Sequence, residues 1–132
     1  MEGSLICLDT SVLIDYFRKK IKQKTYFFLL AEKHKRFAVT SITTFEIYRG
    51  LTSKQDAFWE EVFDQMEILP FDEGAAKTAS ALFQKLNEKN KLIALPDLFI
   101  ASIAISNDVP LATLNKKDFE RVPSLQLVEH NK

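Results

Sequence analysis

Short apolar runs alternating with segments of helical periodicity constrain this chain more than any other feature. Leu5-Ile6-Cys7-Leu8 ends at Asp9-Thr10-Ser11, residue types that cap helices. Val12, Leu13, Tyr16 and Phe17 then recur at helical spacing, so the order is strand, then helix. The pattern repeats. Thr25 to His34 reads as a second helix with Phe27, Phe28, Leu30 and Ala31 as its apolar positions, and Phe37-Ala38-Val39-Thr40 as a second strand. A helix follows through Phe45, Ile47, Tyr48 and Leu51, and another spans 57–66 with Phe58, Trp59, Val62 and Phe63. Glu67-Ile68-Leu69-Pro70 is a third strand closed by proline, and the longest helix runs from Asp72 or Glu73 to about Asn90.

Pro96 suits the first turn of the next helix, where its missing N–H costs nothing. Leu98, Ile100, Ala101, Ile103, Ala104 and Ile105 make that helix apolar nearly all round, which predicts burial. After a turn at Asp108-Val109-Pro110, Leu111–Leu114 reads as a fourth strand and Leu125–Val128 as a fifth. Such alternation predicts an α/β domain with a mostly parallel central sheet of four to five strands flanked by helices. The 132 residues suit one domain, 1–132, without repeats or linkers.

Lysine plus arginine and aspartate plus glutamate balance at 18 each, so the chain is not one that coats nucleic acid by net charge. Cys7 stands alone in an apolar run, which rules out an internal disulfide and predicts a reducing, cytoplasmic setting. The N-terminus lacks a basic and long apolar leader, and no window approaches the roughly 20 apolar residues of a membrane span. Eleven phenylalanines against three tyrosines and one tryptophan place aromatic mass on dry surfaces, core or partner interface.

Ligands of open α/β sheets bind outside the carboxyl ends of the strands. Asp9 closes the first strand, Glu46 lies in the helix after the second, Asn115 and Asp118 follow the fourth, and Asp97 opens the buried helix that feeds it. Carboxylates brought together in this way repel, and a cation neutralises them. Magnesium and manganese favour such hard oxygen ligands. Each acid also has an ordinary explanation: Asp9 as a helix cap, Glu46 as a solvated helix residue, Asp97 as a partner of the helix dipole, Asp118 as a turn residue. His34 and His130 lie in polar stretches expected to be exposed, without zinc spacing.

The motifs together resemble the PIN-domain nucleases. Asp9-Thr10-Ser11-Val12-Leu13-Ile14-Asp15 is similar to their opening signature, and Ser41–Gly50, containing Glu46 and Arg49-Gly50, to their second motif. Pro96–Ala101 resembles the third, and Leu111–Phe119 the fourth. Size points to the VapC-like toxins of bacterial and archaeal toxin–antitoxin pairs. That resemblance implies a sheet of order 3-2-1-4-5, a Mg²⁺- or Mn²⁺-dependent endoribonuclease, a homodimer, and inhibition by a VapB-like antitoxin. It carries over Asp9, Glu46 and Asp97 as metal-site acids. Family members place the fourth carboxylate where Asn115 or where Asp118 stands; Asp118 is the choice here because it carries charge. Thr10, Ser11, Thr113 and Asn115 are supporting oxygen donors.

Basic residues at Arg18–Lys24, at Lys33, Lys35 and Arg36, and at Lys116, Lys117 and Arg121 are candidate phosphate contacts or plain solvated surface. Tyr26-Phe27-Phe28 and Phe58-Trp59 are candidates for a groove that receives an antitoxin helix or a dimer partner. A non-catalytic PIN-like binding module is the alternative. A haloacid-dehalogenase-type phosphatase would need a second Asp where Ser11 stands, and a phospho-accepting receiver an acidic pair after the first strand.

Overall fold

The computed structural model describes residues 4–129. Four parallel strands, β1 (Leu5–Leu8), β2 (Arg36–Thr40), β3 (Glu67–Leu69) and β4 (Leu111–Ala112), lie in the order β3-β2-β1-β4. Strand β1 occupies the centre: Ile6 pairs with Phe37 of β2, and Leu8 with Ala112 of β4. Parallel neighbours need crossovers, and helices supply them.

Seven α-helices complete the described chain: α1 (Thr10–Arg18), α2 (Tyr26–Lys33), α3 (Ser41–Arg49), α4 (Asp56–Asp64), α5 (Glu73–Glu88), α6 (Leu95–Ser106) and α7 (Lys116–Phe119). Single 3-10 turns at Lys22–Lys24 and Ser53–Gln55 precede α2 and α4. The two-residue period of β1 divides the core between two faces of the sheet. Ile6 and Leu8 pack with Val12, Leu13, Tyr26, Leu30, Trp59 and Phe63, from α1, α2 and α4. Cys7 packs on the other face with Leu82, Leu86, Leu98 and Ile100, from α5 and α6. Helix α6 is buried along most of its length, as its apolar circumference predicts.

The expected fifth strand is reduced to one parallel bridge between Leu111 and Leu127. Leu111 N–H donates to Gln126 O and Val128 N–H to Leu111 O, both at 2.9 Å, and pairing stops there. The reason lies in β4, which ends at Ala112 instead of Leu114. The Thr113 hydroxyl accepts from Asn115 N–H at 2.9 Å, turning the chain out of the sheet.

Helix α2 differs from expectation in its inner face. Tyr26 and Leu30 are buried while Ala31 faces solvent, so the stripe starts one residue earlier than Phe27. Asp108 adopts φ 55° in the predicted turn after α6, a left-handed conformation that Asp tolerates better than most residues. None of the helices among the described residues is long and apolar enough to cross a membrane.

Candidate active site

Parallel strands bring their carboxyl ends to one edge, and the acids of the site follow directly from it. Asp9 sits between β1 and α1 with φ −70° and ψ 156°, the geometry of a cap residue, yet its side chain makes no capping bond. Asp9 Oδ2 instead accepts from Ser11 Oγ and from Thr113 Oγ1, each at 2.8 Å. Capping therefore does not account for this carboxylate. It is 3% exposed, and both bonds fall on one oxygen. Burial and the nearby Asp9 charge push the Cys7 thiol up to about 12, so that cysteine is inert packing.

Glu46 is reached from the second strand end. Thr40 caps α3, its hydroxyl accepting from Thr43 N–H at 3.1 Å. Thr43 and Glu46, three residues apart, share a helix face. Thr10 Oγ1, from α1, donates to Glu46 Oε1 at 2.7 Å and lies 3.0 Å from Thr43 Oγ1. Thr10 was expected among the supporting donors. Thr40 and Thr43 were missed, although the i, i+3 spacing of Thr43 to Glu46 was a usable signal.

Asp97 stands in the first turn of α6, where the helix terminus favours an acid. Its pKa is nevertheless raised to about 6, first by burial, then by the charges of Asp9, Glu46 and Asp118. Helix-dipole stabilisation loses to desolvation and repulsion, and the residues that cause the repulsion are the other three predicted acids. Asp118 Oδ2 accepts from Asn115 Nδ2 at 3.2 Å, so the amide orients the acid. Ser11 Oγ also accepts from Leu114 N–H at 3.0 Å, tying the β4 loop to the start of α1.

Among the described residues no group of three or more Asp, Glu, His or Cys side chains is arranged to hold a metal ion. Asp97 feels the charges of Asp9, Glu46 and Asp118 although no three of these carboxylates close on a shared point. This suits a hydrated cation that takes one or two carboxylates directly and keeps several waters, as Mg²⁺ does. The donor chemistry agrees: hard oxygens only, steadied by neutral hydroxyls and an amide. The residues present fit a divalent cation.

Other expectations are corrected. Tyr26 and Trp59 are buried in the core and do not form an exposed groove. Lys22 is spent on the backbone: its Nζ donates to Tyr16 O, to Phe17 O at 3.2 Å and to Lys19 O at 2.9 Å, closing the end of α1. Lys19 pairs with Asp15 at 2.8 Å and Arg36 with Glu67 at 2.7 Å. His34 is partly buried rather than exposed, which lowers its pKa, and His130 lies outside the described residues.

The PIN domain family matches residues 6–125. The chain belongs to this family. Among PIN-domain relatives it is similar to Ribonuclease VapC1 of Methanocaldococcus jannaschii, 36% identical over 132 residues, with 99% of this chain and 90% of the relative covered. Ribonuclease VapC of Rickettsia bellii is 28% identical, over 93% of this chain and 94% of the relative. The PIN fold superposes on the structure of DNA-bound VapBC from Salmonella typhimurium with a TM-score of 0.80 at 26% identity, covering 97% of this chain and 98% of that one. VapBC2 from Rickettsia felis, bound to a DNA fragment from its promoter, gives 0.77 at 25% identity, covering 96% and 99%. The expected family agrees with these findings, and the expected strand order holds for its first four members, 3-2-1-4.

Proposed function

We infer that this PIN-domain protein is an endoribonuclease hydrolysing RNA phosphodiester bonds, the toxin of a toxin–antitoxin pair. The observation that carries the reading is the PIN-family match over residues 6–125, which spans Asp9, Glu46, Asp97 and Asp118, the acids whose charges meet at Asp97. The names of its relatives support the substrate class.

Asp9, Glu46, Asp97 and Asp118 would hold Mg²⁺ or Mn²⁺, which when bound supplies charge neutralisation at the phosphate and a more acidic water. The chain's own residues do the rest. Ser11 and Thr113 fix the Asp9 carboxylate, and Thr10 fixes Glu46. Glu46 or Asp118 takes the proton of a water that attacks phosphorus in line as the bond to the leaving oxygen breaks. Neither a serine nor a cysteine nucleophile is needed.

A VapB-like antitoxin is the proposed partner, since the solved relatives are VapBC assemblies. Its seat is a hollow of about 280 Å³ between α2 and α4, lined by Phe27 and Phe58 of the expected aromatic groups, whose Tyr26 and Trp59 are buried. A homodimer and a cytoplasmic location complete the proposal. Light scattering at micromolar concentration checks the dimer, and a monomer refutes it.

RNA cleavage by the pure protein with Mg²⁺ or Mn²⁺, with and without EDTA, tests the activity beside Asp9→Asn and Asp97→Asn. Activity should fall by at least about a hundredfold with EDTA and in each variant. Cleavage that survives chelation or both substitutions overturns the mechanism. Metal-independent RNA binding without turnover would make the protein a binding module.

A further inference from the structure

Helix α1 carries a line of side chains leading away from the acids. Thr10, Ile14 and Arg18 recur every four residues and so share one face, rising about 12 Å along the axis. Thr10 holds Glu46 at one end of the line. Arg18 lies at the other, exposed and, among the described residues, paired with no carboxylate. Of its basic neighbours, Lys19 is committed to Asp15 and Lys22 to the backbone, while Lys20 and Lys24 are exposed but do not line the hollow described next.

Arg18 and Glu46 border the same hollow of about 240 Å³, floored by Ile14, Phe17, Ile47, Leu51 and Trp59. That is just under the roughly 300 Å³ at which drug-sized pockets begin, space for one planar ring system. Half-buried Phe17 is the ring the floor presents, backed at 5.4 Å by the buried Trp59. One polar group at the wall is preset. Gln55 Oε1 accepts from Thr52 N–H at 3.1 Å, which fixes the amide and, among the described residues, leaves its N–H donors uncommitted. Gly50 completes the wall. With φ −98° and nothing nearer than 3.7 Å to a Cβ, the fold does not require glycine there. A missing side chain at this wall keeps the hollow open.

We propose that this hollow is a subsite for one unpaired RNA base beside the cleaved bond, with Arg18 holding the adjoining phosphate. The proposal rests on the ribonuclease reading and deepens it. Single-stranded RNA fits because its bases are free to turn out of the strand onto apolar and aromatic surfaces. Charge decides the orientation. The acids repel a phosphate that arrives without a cation, whereas Arg18 attracts one at the far rim. The uncommitted Gln55 donors face a base edge that carries acceptors, so Gln55 and the Gly50 wall set which base is admitted.

Anisotropy of a labelled single-stranded RNA on the Asp97→Asn protein, compared with Asp97→Asn/Arg18→Ala across a salt series, reads the phosphate contact. Arg18→Ala should weaken binding about tenfold and flatten the slope of log affinity against log salt by about 0.7. Cleavage-site mapping on one RNA pool reads the base. Gln55→Glu keeps the acceptor for Thr52 N–H but removes the donors, and Gly50→Leu fills the wall. Both should alter the base preferred next to the cut while the protein stays folded. Unchanged slope and unchanged preference in proteins that still cleave overturn the subsite alone. Arg18-dependent binding by a protein whose wild type cleaves no RNA keeps the phosphate contact of Arg18 but removes the ribonuclease reading and, with it, a base site beside a cut. Loss confined to capture of a peptide partner, with RNA binding intact, also overturns it.

Discussion

Replacing Asp97 by asparagine should stabilise the metal-free protein at neutral pH. A carboxyl moved from its ordinary value near 3.9 to about 6 is destabilised in its ionised form by roughly 3 kcal/mol. Asp97 is only partly buried, so solvent screening cuts that to about 1.5 kcal/mol. Losing a favourable charge at the α6 terminus gives back about 0.5 kcal/mol. No hydrogen bond to the Asp97 side chain exists among the described residues for the amide to lose. The net gain is about 1 kcal/mol, or about 4 °C in melting temperature for a chain of this size. The pH dependence follows from the raised direction of the shift. Between about pH 4 and 6 the folded state binds more protons than the unfolded one, so wild-type stability falls as pH rises through that window. The advantage of Asp97→Asn should therefore be full at pH 8, about halved at pH 5 and absent below 4. Thermal melts by circular dichroism in EDTA over that range measure it. Added Mn²⁺ should raise the wild type more than the variant. A variant no more stable than wild type at pH 8 in EDTA would refute the claim that burial and the neighbouring acids destabilise the Asp97 carboxylate.

Thr113→Val keeps shape but removes the hydroxyl that serves Asp9 Oδ2 and Asn115 N–H; titration calorimetry should show Mn²⁺ affinity reduced by about tenfold or more. Lys22→Met removes the lysine that closes α1 and should cost about 1.5 kcal/mol in urea unfolding. The same variant should leave the salt slope of RNA binding unchanged, unlike Arg18→Ala. Trp59→Ala empties a core position 2% exposed and should cost about 3–5 kcal/mol, read by unfolding followed through circular dichroism.

Period and capping chemistry made the elements legible because each is decided locally. Leu5–Leu8, the apolar circumference of α6 and the turn at Asp108 fall where the residues place them. The positions of Asp9, Glu46, Asp97 and Asp118 were legible for a global reason: parallel topology delivers every strand's carboxyl end to one edge. What escaped depends on contacts between segments far apart in sequence. Thr113, whose hydroxyl takes the Asn115 N–H as β4 ends, also donates to Asp9, 104 residues away, a contact no local pattern announces. Lys22 reads as one of a basic cluster until folding turns its ammonium onto three carbonyl oxygens of α1 and its end. Trp59 and Tyr26 read as surface candidates because aromatic runs are alike whether they meet a partner or the chain's own sheet.

The character of the donors around the acids bears on why the site stays charged. Asp9 is held by Ser11 and Thr113, Glu46 by Thr10 and Asp118 by Asn115, all neutral groups. The ion pairs Lys19–Asp15 and Arg36–Glu67 lie elsewhere. A lysine or arginine in place of these donors would orient the carboxylates equally well, but it would also neutralise them and compete with a divalent ion for the same oxygens. Hydroxyls and amides fix direction while leaving charge in place, and the raised Asp97 pKa is the energetic sign of that unspent charge. RNA then meets repulsion unless a cation arrives first or a basic residue stands outside the ring. Arg18, at the far end of the α1 face that begins with Thr10, stands there. The proposed division of labour is spatial: neutral donors inside the site would preserve affinity for a metal ion, and a basic residue at the rim would supply affinity for the strand.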